Sequence, residues 1–175
     1  VYKHATAIYA MPWLFDDVTR AWAFWNATQQ SFHHCIYAGW TFDKEGKRTK
    51  TLMNRIDGLM PVYADRLKTV MIEQNDATLI IERWDNDRAF HYVDPPYLNA
   101  DQGHYGGYTE VHFERLLNVL SMVKGKFLLS TYPHPVLDEF VKRNGWHQRE
   151  VVMHLSAAKT TGKKKVEVLT GNYVF

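Results

Sequence analysis

The residues of clearest chemical use are Asp94, Pro95, Pro96 and Tyr97, an uninterrupted run that follows the apolar stretch Phe90-His91-Tyr92-Val93. A carboxylate next to a backbone carbonyl offers two acceptors to the N–H groups of a single amino group. For an exocyclic amine, whose lone pair is delocalised into its ring, such a grip favours tetrahedral nitrogen and localises the lone pair. That prepares the nitrogen for in-line attack on a methyl sulfonium. Pro95 and Pro96 have a fixed φ and no N–H, so their carbonyls can be held with little reorganisation. Tyr97 presents a ring on which an extruded base can stack, at ~1–3 kcal/mol per base. The same four residues also make a rigid turn. Their position favours chemistry, because they follow a buried strand and precede Gly103, Gly106 and Gly107 and then a helical pattern.

The elements that must position this run are legible as periodicities. Apolar residues at Val18, Ala21, Trp22 and Trp25 predict a helix from Asp17 to about Gln30, capped by Asp16 or Asp17, with Thr19, Arg20, Asn26 and Gln30 on its polar face. Ser31 to Ile56 loses period and reads as a long irregular insertion with a basic tip. Leu59, Val62, Tyr63 and Leu67 form a helical stripe, with Pro61 in its first turn. Thr69 to Glu73 reads as a short strand, and Asp76 as the cap of a helix bearing Ala77, Ile80, Ile81 and Trp84. Arg88 to Val93 is the strand that delivers Asp94. Thr109 caps a helix patterned on Phe113, Leu116, Leu117, Leu120 and Val123, which Gly125 closes.

A strand from Lys126 to Ser130, a helix through Val136, Leu137, Phe140 and Val141 ending at Asn144-Gly145, and strands Arg149–Leu155 and Val166–Tyr173 complete the chain. Strands alternating with helices imply an α/β fold with a mostly parallel, doubly wound sheet, closed by an antiparallel hairpin.

At 175 residues the length suits one domain. Hydrophobic content of 46% with 23% charged residues is that of a globular chain rather than a disordered one. A net charge of +2 excludes a bulk nucleic-acid coat, so contacts with nucleic acid must come from local clusters. The single cysteine, Cys35, excludes an intrachain disulfide, is expected to be buried, and fits a reducing, cytoplasmic setting. No run approaches the ~18 apolar residues of a membrane span. His33-His34-Cys35 is a weak metal candidate, since adjacent residues rarely converge on one ion. His112 and His154 read as structural, and Tyr105 and Tyr108 flank glycines in a loop that is a candidate lid over a flipped base.

With these motifs in hand, the chain resembles the Dam-like class of DNA N6-adenine methyltransferases. Besides Asp94 to Tyr97, the resemblance includes Ile72-Glu73-Gln74-Asn75-Asp76-Ala77, similar to the strand and acid that in this class meet the adenine ring of S-adenosylmethionine. Val123 to Ser130 is similar to the next core strand, and Glu167 to Tyr173 to the terminal strand. The resemblance implies a Rossmann-like methyltransferase sheet, S-adenosylmethionine as methyl donor with Asp76, Ala77 and Asp94 beside it, and double-stranded DNA as partner. It implies a catalytic role for Asp94, Pro95, Pro96 and Tyr97. It assigns target recognition to the segment holding Ser31, Phe32 and Trp40, with Lys47, Arg48, Lys50 and Arg55 as phosphate contacts and Asn54 or Arg55 as readers of a base edge. Cytosine N4 stays chemically open, because the same geometry serves any exocyclic amine.

One departure stands out. Members of the class carry a Phe-x-Gly-x-Gly turn that wraps the methionine end of the cofactor, and residues 1–175 contain none. The chain also opens at Val1 inside a mixed aromatic stretch. Both features lead us to expect the carboxyl-terminal part of an enzyme, inactive alone, with an incomplete sheet edge prone to self-association. The competing expectation is a non-catalytic protein that keeps the fold for binding DNA or a partner.

Overall fold

Asp16 starts the helix α2 (Asp17–Gln30) as expected, its carboxylate accepting the Thr19 N–H at 3.0 Å. The chain is seen here as a computed structural model. Residues 1–41, 44–98, 107–154 and 164–175 are described, with backbone alone for His33, Arg48, Leu59, Met153, His154, Lys164 and Lys165. They divide into two compact units, Val1–Ile72 and Glu73–Phe175.

In the first unit, α1 (Tyr2–Ala10) packs on α2 through Ala5, Ile8, Ala23 and Ala27. The buried face of α2 is therefore not the Val18–Trp22 face that periodicity suggests. Val18 is 79% exposed, whereas Asn26 is buried, donating to the Trp22 carbonyl at 2.9 Å. The small alanines let the two helices approach closely, while the partly exposed Trp22 meets His4 of α1 edge-on with centroids 6.0 Å apart.

The segment expected to be irregular is ordered in two pieces. Residues 31–41 close on themselves: Ser31 bridges Trp40, the Phe32 N–H donates to the Gly39 carbonyl at 3.1 Å, and the Thr41 N–H to that of Gln30 at 3.0 Å. His34 and Tyr37 both have positive φ, 59° and 71°, so the turn stores local strain. Cys35 is exposed here, against the expectation of burial.

The basic tip is helical: α3 (Lys47–Asn54) runs through a π-type turn, Arg55–Leu59, into α4 (Met60–Leu67). The wide turn ends two residues before Pro61, whose ring nitrogen has no hydrogen to offer the helical ladder. Val62, Tyr63 and Leu67 of the predicted stripe are at least half exposed.

Residues 70–72 do not form the predicted strand. A strand needs a ladder partner for its backbone groups, and Met71 and Ile72 stand largely exposed instead.

The second unit is built on a four-stranded open mixed sheet of order β1-β2-β4-β3. Its strands are β1 (Phe90–Val93), β2 (Lys126–Thr131), β3 (His147–His154) and β4 (Lys164–Gly171). The pair β1 and β2 is parallel, with Val93 opposite Leu129, while β4 lies antiparallel between β2 and β3. Three strands thus share one direction, yet only one pairing is parallel, which corrects the mostly parallel sheet expected. The closing hairpin of β3 and β4 is present, and its connection, 155–163, lies outside the described residues.

Three helices, α5 (Ala77–Trp84), α6 (Glu110–Leu120) and α7 (Pro135–Asn144), supply one core with Val93, Phe127, Leu129, Trp146 and Val168. The opposite face presents Phe90 and Tyr92 at more than half exposure. Helix α6 ends at Leu120, earlier than Gly125. Gly125 serves the turn into β2, where a Cβ would meet the Ala89 carbonyl oxygen at 2.6 Å.

Candidate functional site

Three loops meet where β1 ends. Asp76 caps α5, accepting the Thr78 N–H at 2.9 Å and the Thr78 hydroxyl at 2.5 Å. Those bonds, led by the hydroxyl, hold its carboxyl below the usual range, and its second oxygen lies 3.5 Å from Arg115 of α6. Glu73 receives the Trp84 indole N–H at 3.0 Å and Arg83 at 3.1 Å, and the indole bond chiefly lowers its carboxyl as well. Asp94 follows β1 directly. Together these residues line a pocket of about 690 Å³, whose apolar wall includes Ile80, Ile81, Val93 and Leu116. Such a volume and an apolar wall with a few polar groups are those of a small-molecule site.

The strand β1 is aimed by a clamp at its start. Asp85 accepts the backbone N–H groups of Lys124 at 2.8 Å and Gly125 at 3.0 Å, and its Oδ1 lies 3.2 Å from Nε2 of His91. Burial pushes the Asp85 carboxyl up, but the two backbone N–H groups and His91 more than offset this and leave it lowered. Asn172 adds a second tie, accepting from the Phe127 N–H at 3.0 Å and donating to the Gly125 carbonyl at 2.9 Å.

Tyr97 is held from β2. Its hydroxyl lies 2.8 Å from Ser130 Oγ, and its ring meets Tyr132 edge-on with centroids 4.7 Å apart. Burial, and then the neighbouring Asp94 charge, push the phenol up to about 12. Tyr97 is therefore a neutral ring at any physiological pH.

The pocket also includes Tyr108, which the sequence places in a candidate lid, His112, which it reads as structural, and Arg115, which it does not mark. His112 Nδ1 accepts the Thr109 N–H at 3.1 Å and lies 2.8 Å from its hydroxyl, so the ring proton belongs on Nε2. Tyr108 stacks on His112, and among the described residues its buried hydroxyl has no hydrogen-bond partner. Burial pushes that phenol to about 12. The signal available in sequence was the first turn of a helix following the glycine-rich segment. Gly103, Tyr105 and Gly106 lie outside the described residues.

Asp76, Ala77, Asp94, Pro95 and Pro96 are thus brought to one pocket, whereas Tyr97, the next residue, is not part of its lining and turns to Ser130 and Tyr132. The residues named for DNA contact belong to the first unit and divide differently. Phe32 and Trp40 are exposed rings on the closed turn. Ser31 is buried, with its hydroxyl donated to the Thr28 carbonyl at 3.1 Å, so it is not presented outward. Lys47 pairs with Glu45, while Lys50 and Asn54 are exposed on α3. Arg55 donates to the side-chain oxygen of Gln29. The side chain of Arg48 lies outside the described residues. No family model matches the chain, and no curated protein matches it. Among the described residues, no helix is long and apolar enough to cross a membrane.

Proposed function

We propose that this chain carries the substrate-holding part of a DNA adenine-N6 methyltransferase of Rossmann-like fold that uses S-adenosylmethionine. The observation that carries the reading is the run Asp94-Pro95-Pro96-Tyr97 at the carboxyl end of a sheet strand, with its first three residues lining a pocket of about 690 Å³. Asp94 and the Pro95 carbonyl accept the two N–H bonds of the target amine, and Tyr97 supports the base from its ring face. With its lone pair so localised, the amine would be held ready for the methyl that S-adenosylmethionine would supply, and its displaced proton would leave for solvent.

The pocket suits the adenosine half of the cofactor. Its volume is ample, Ile80, Ile81 and Val93 are apolar, and Asp76 and Asp94 are acceptors. The cofactor, when bound, supplies an electrophilic methyl. No residue of the pocket wall described here is glycine, so the close backbone approach needed at the methionine end is not offered by this wall. That observation favours a second reading, a non-catalytic protein that keeps the fold to bind DNA or to associate through the free edge of β1.

Transfer of labelled methyl groups to duplex DNA by the full encoded protein tests the first reading. Activity that disappears in Asp94→Ala supports it. Neither transfer nor calorimetric binding of S-adenosylmethionine would leave only the second. For residues 1–175 alone we expect weak or absent cofactor binding.

A further inference from the structure

A second, much smaller cavity of about 140 Å³ lies in the first unit, lined by Gln29, His34, Thr51, Leu52 and Arg55. It is below the ~300 Å³ at which whole small molecules are normally enclosed, so it suits a single group of something larger. Its polar groups are a guanidinium, an amide, an imidazole and a hydroxyl. Arg55 can only donate, so its short contact with Gln29 identifies the amide oxygen as acceptor and leaves the amide N–H₂ as a donor. His34 Nδ1 lies 3.1 Å from the Thr28 carbonyl, which can only accept, so that nitrogen carries a proton. Thr51 already donates its hydroxyl to the Lys47 carbonyl at 2.9 Å. The guanidinium has five N–H donors, of which Gln29 takes one.

The side-chain oxygen of Gln29 is therefore turned to Arg55, while guanidinium and amide donors remain. Among the described residues, neither aspartate nor glutamate lines it. The His34 backbone, at φ 59°, is in the sparsely populated left-handed region, so the imidazole is placed here at a local cost. From these guanidinium and amide donors we infer that the Gln29–His34–Arg55 cavity seats one backbone phosphate of duplex DNA. The inference rests on the DNA-binding part of the reading above and assigns Gln29 to it, with His34 as a wall of the cavity whose Nδ1–H is already given to Thr28. Arg55 then acts on the phosphate rather than on a base edge, with Gln29 orienting the guanidinium.

The test is anisotropy of a short fluorescein-labelled duplex against the full encoded protein across ~50 to ~200 mM salt. Arg55→Ala is expected to weaken binding roughly tenfold and to lower the log–log salt slope by ~0.9, the value of one phosphate contact. Gln29→Glu, nearly isosteric, is expected to weaken binding likewise by seating a carboxylate on the guanidinium. It keeps the test valid if Arg55→Ala melts the unit, which circular dichroism would show. Wild-type affinity and slope in both folded variants would overturn the phosphate seat, while leaving DNA binding through Lys47 and Lys50 intact. Absence of duplex binding by the wild type would overturn the seat and the DNA reading together. Inorganic phosphate provides the remaining arm, followed through the Arg55 Nε–H resonance. Binding of it as tight as that of the duplex would make the cavity a free-anion site and overturn the nucleic-acid assignment.

Discussion

The Tyr97 hydroxyl and Ser130 Oγ, 33 residues apart in sequence, lie 2.8 Å from each other. The bond joins the loop after β1 to the penultimate residue of the parallel strand beside it, and so fixes the ring that follows Asp94, Pro95 and Pro96. Ser130→Ala should cost ~1 kcal/mol of stability and raise the KM for DNA more than it lowers kcat. Urea unfolding and steady-state kinetics check this, and Ser130→Thr should restore both. Equal effects of alanine and threonine would remove the hydroxyl from the argument.

If Asp94 holds the target amine as proposed, Asp94→Ala removes a side-chain acceptor from it and nothing from the sheet ladder, since β1 ends at Val93. Transfer by the full encoded protein should fall by at least ~10²-fold, the usual cost of deleting one preorganised polar group at a reacting centre. The affinity for DNA should change little. Single-turnover rates and anisotropy separate these quantities, and activity retained in the variant would refute the assigned role.

Asp85 has consequences for stability and its pH dependence. Asp85→Ala leaves two backbone N–H groups and His91 without their acceptor, and should cost about 2–4 kcal/mol. Because the folded carboxyl is lowered from 3.8, its contribution is fully present above that value and is lost as the pH falls through the folded value. The stability gap between wild type and variant should thus be constant near neutrality and narrow in acid below about pH 4. Denaturation series at several pH values measure it; a gap that widens in acid would contradict the sign.

Gly125→Ala would place a methyl group 2.6 Å from the Ala89 carbonyl oxygen and 2.8 Å from that of Asn86. Both are backbone atoms and cannot step aside alone. We expect a loss of ~1–3 kcal/mol or more. A thermal midpoint equal to that of the wild type would mean that this turn yields freely.

Asp76→Ala should destabilise α5 by ~1 kcal/mol through loss of its cap. If Asp76 also serves the cofactor, Asp76→Asn should keep most of the cap while weakening S-adenosylmethionine binding. Calorimetry on the full encoded protein reads the difference, and unchanged affinity would confine Asp76 to capping.

Features that depend on neighbours in sequence were readable without a structure. Asp16 and Asp76 cap the helices they precede, Gly145 closes α7 at φ 66°, and the strand before Asp94 ends where expected. Each is decided by a side chain within one turn of the backbone it serves. Partnerships across the chain were not readable. Periodicity marks residues 69–73 as strand-like, but a strand exists only where another supplies its ladder. It marks Val18 and Trp22 for burial, but the face of α2 that is buried was chosen by the alanines able to meet α1.

By itself, then, the amino-acid sequence determined the order of most elements, their caps, and the Asp-Pro-Pro-Tyr run with its possible chemistry. Only the tertiary structure decided that β4 enters between β2 and β3, that Ser31 is buried, and that Ser130 holds Tyr97. It also decided that Arg55 meets Gln29 and that Tyr108, His112 and Arg115 join Asp94 around one pocket. The physical reason is the range of the forces concerned. Capping and helical periodicity act over three or four residues, whereas sheet order and side-chain convergence follow from burying apolar surface contributed by distant segments.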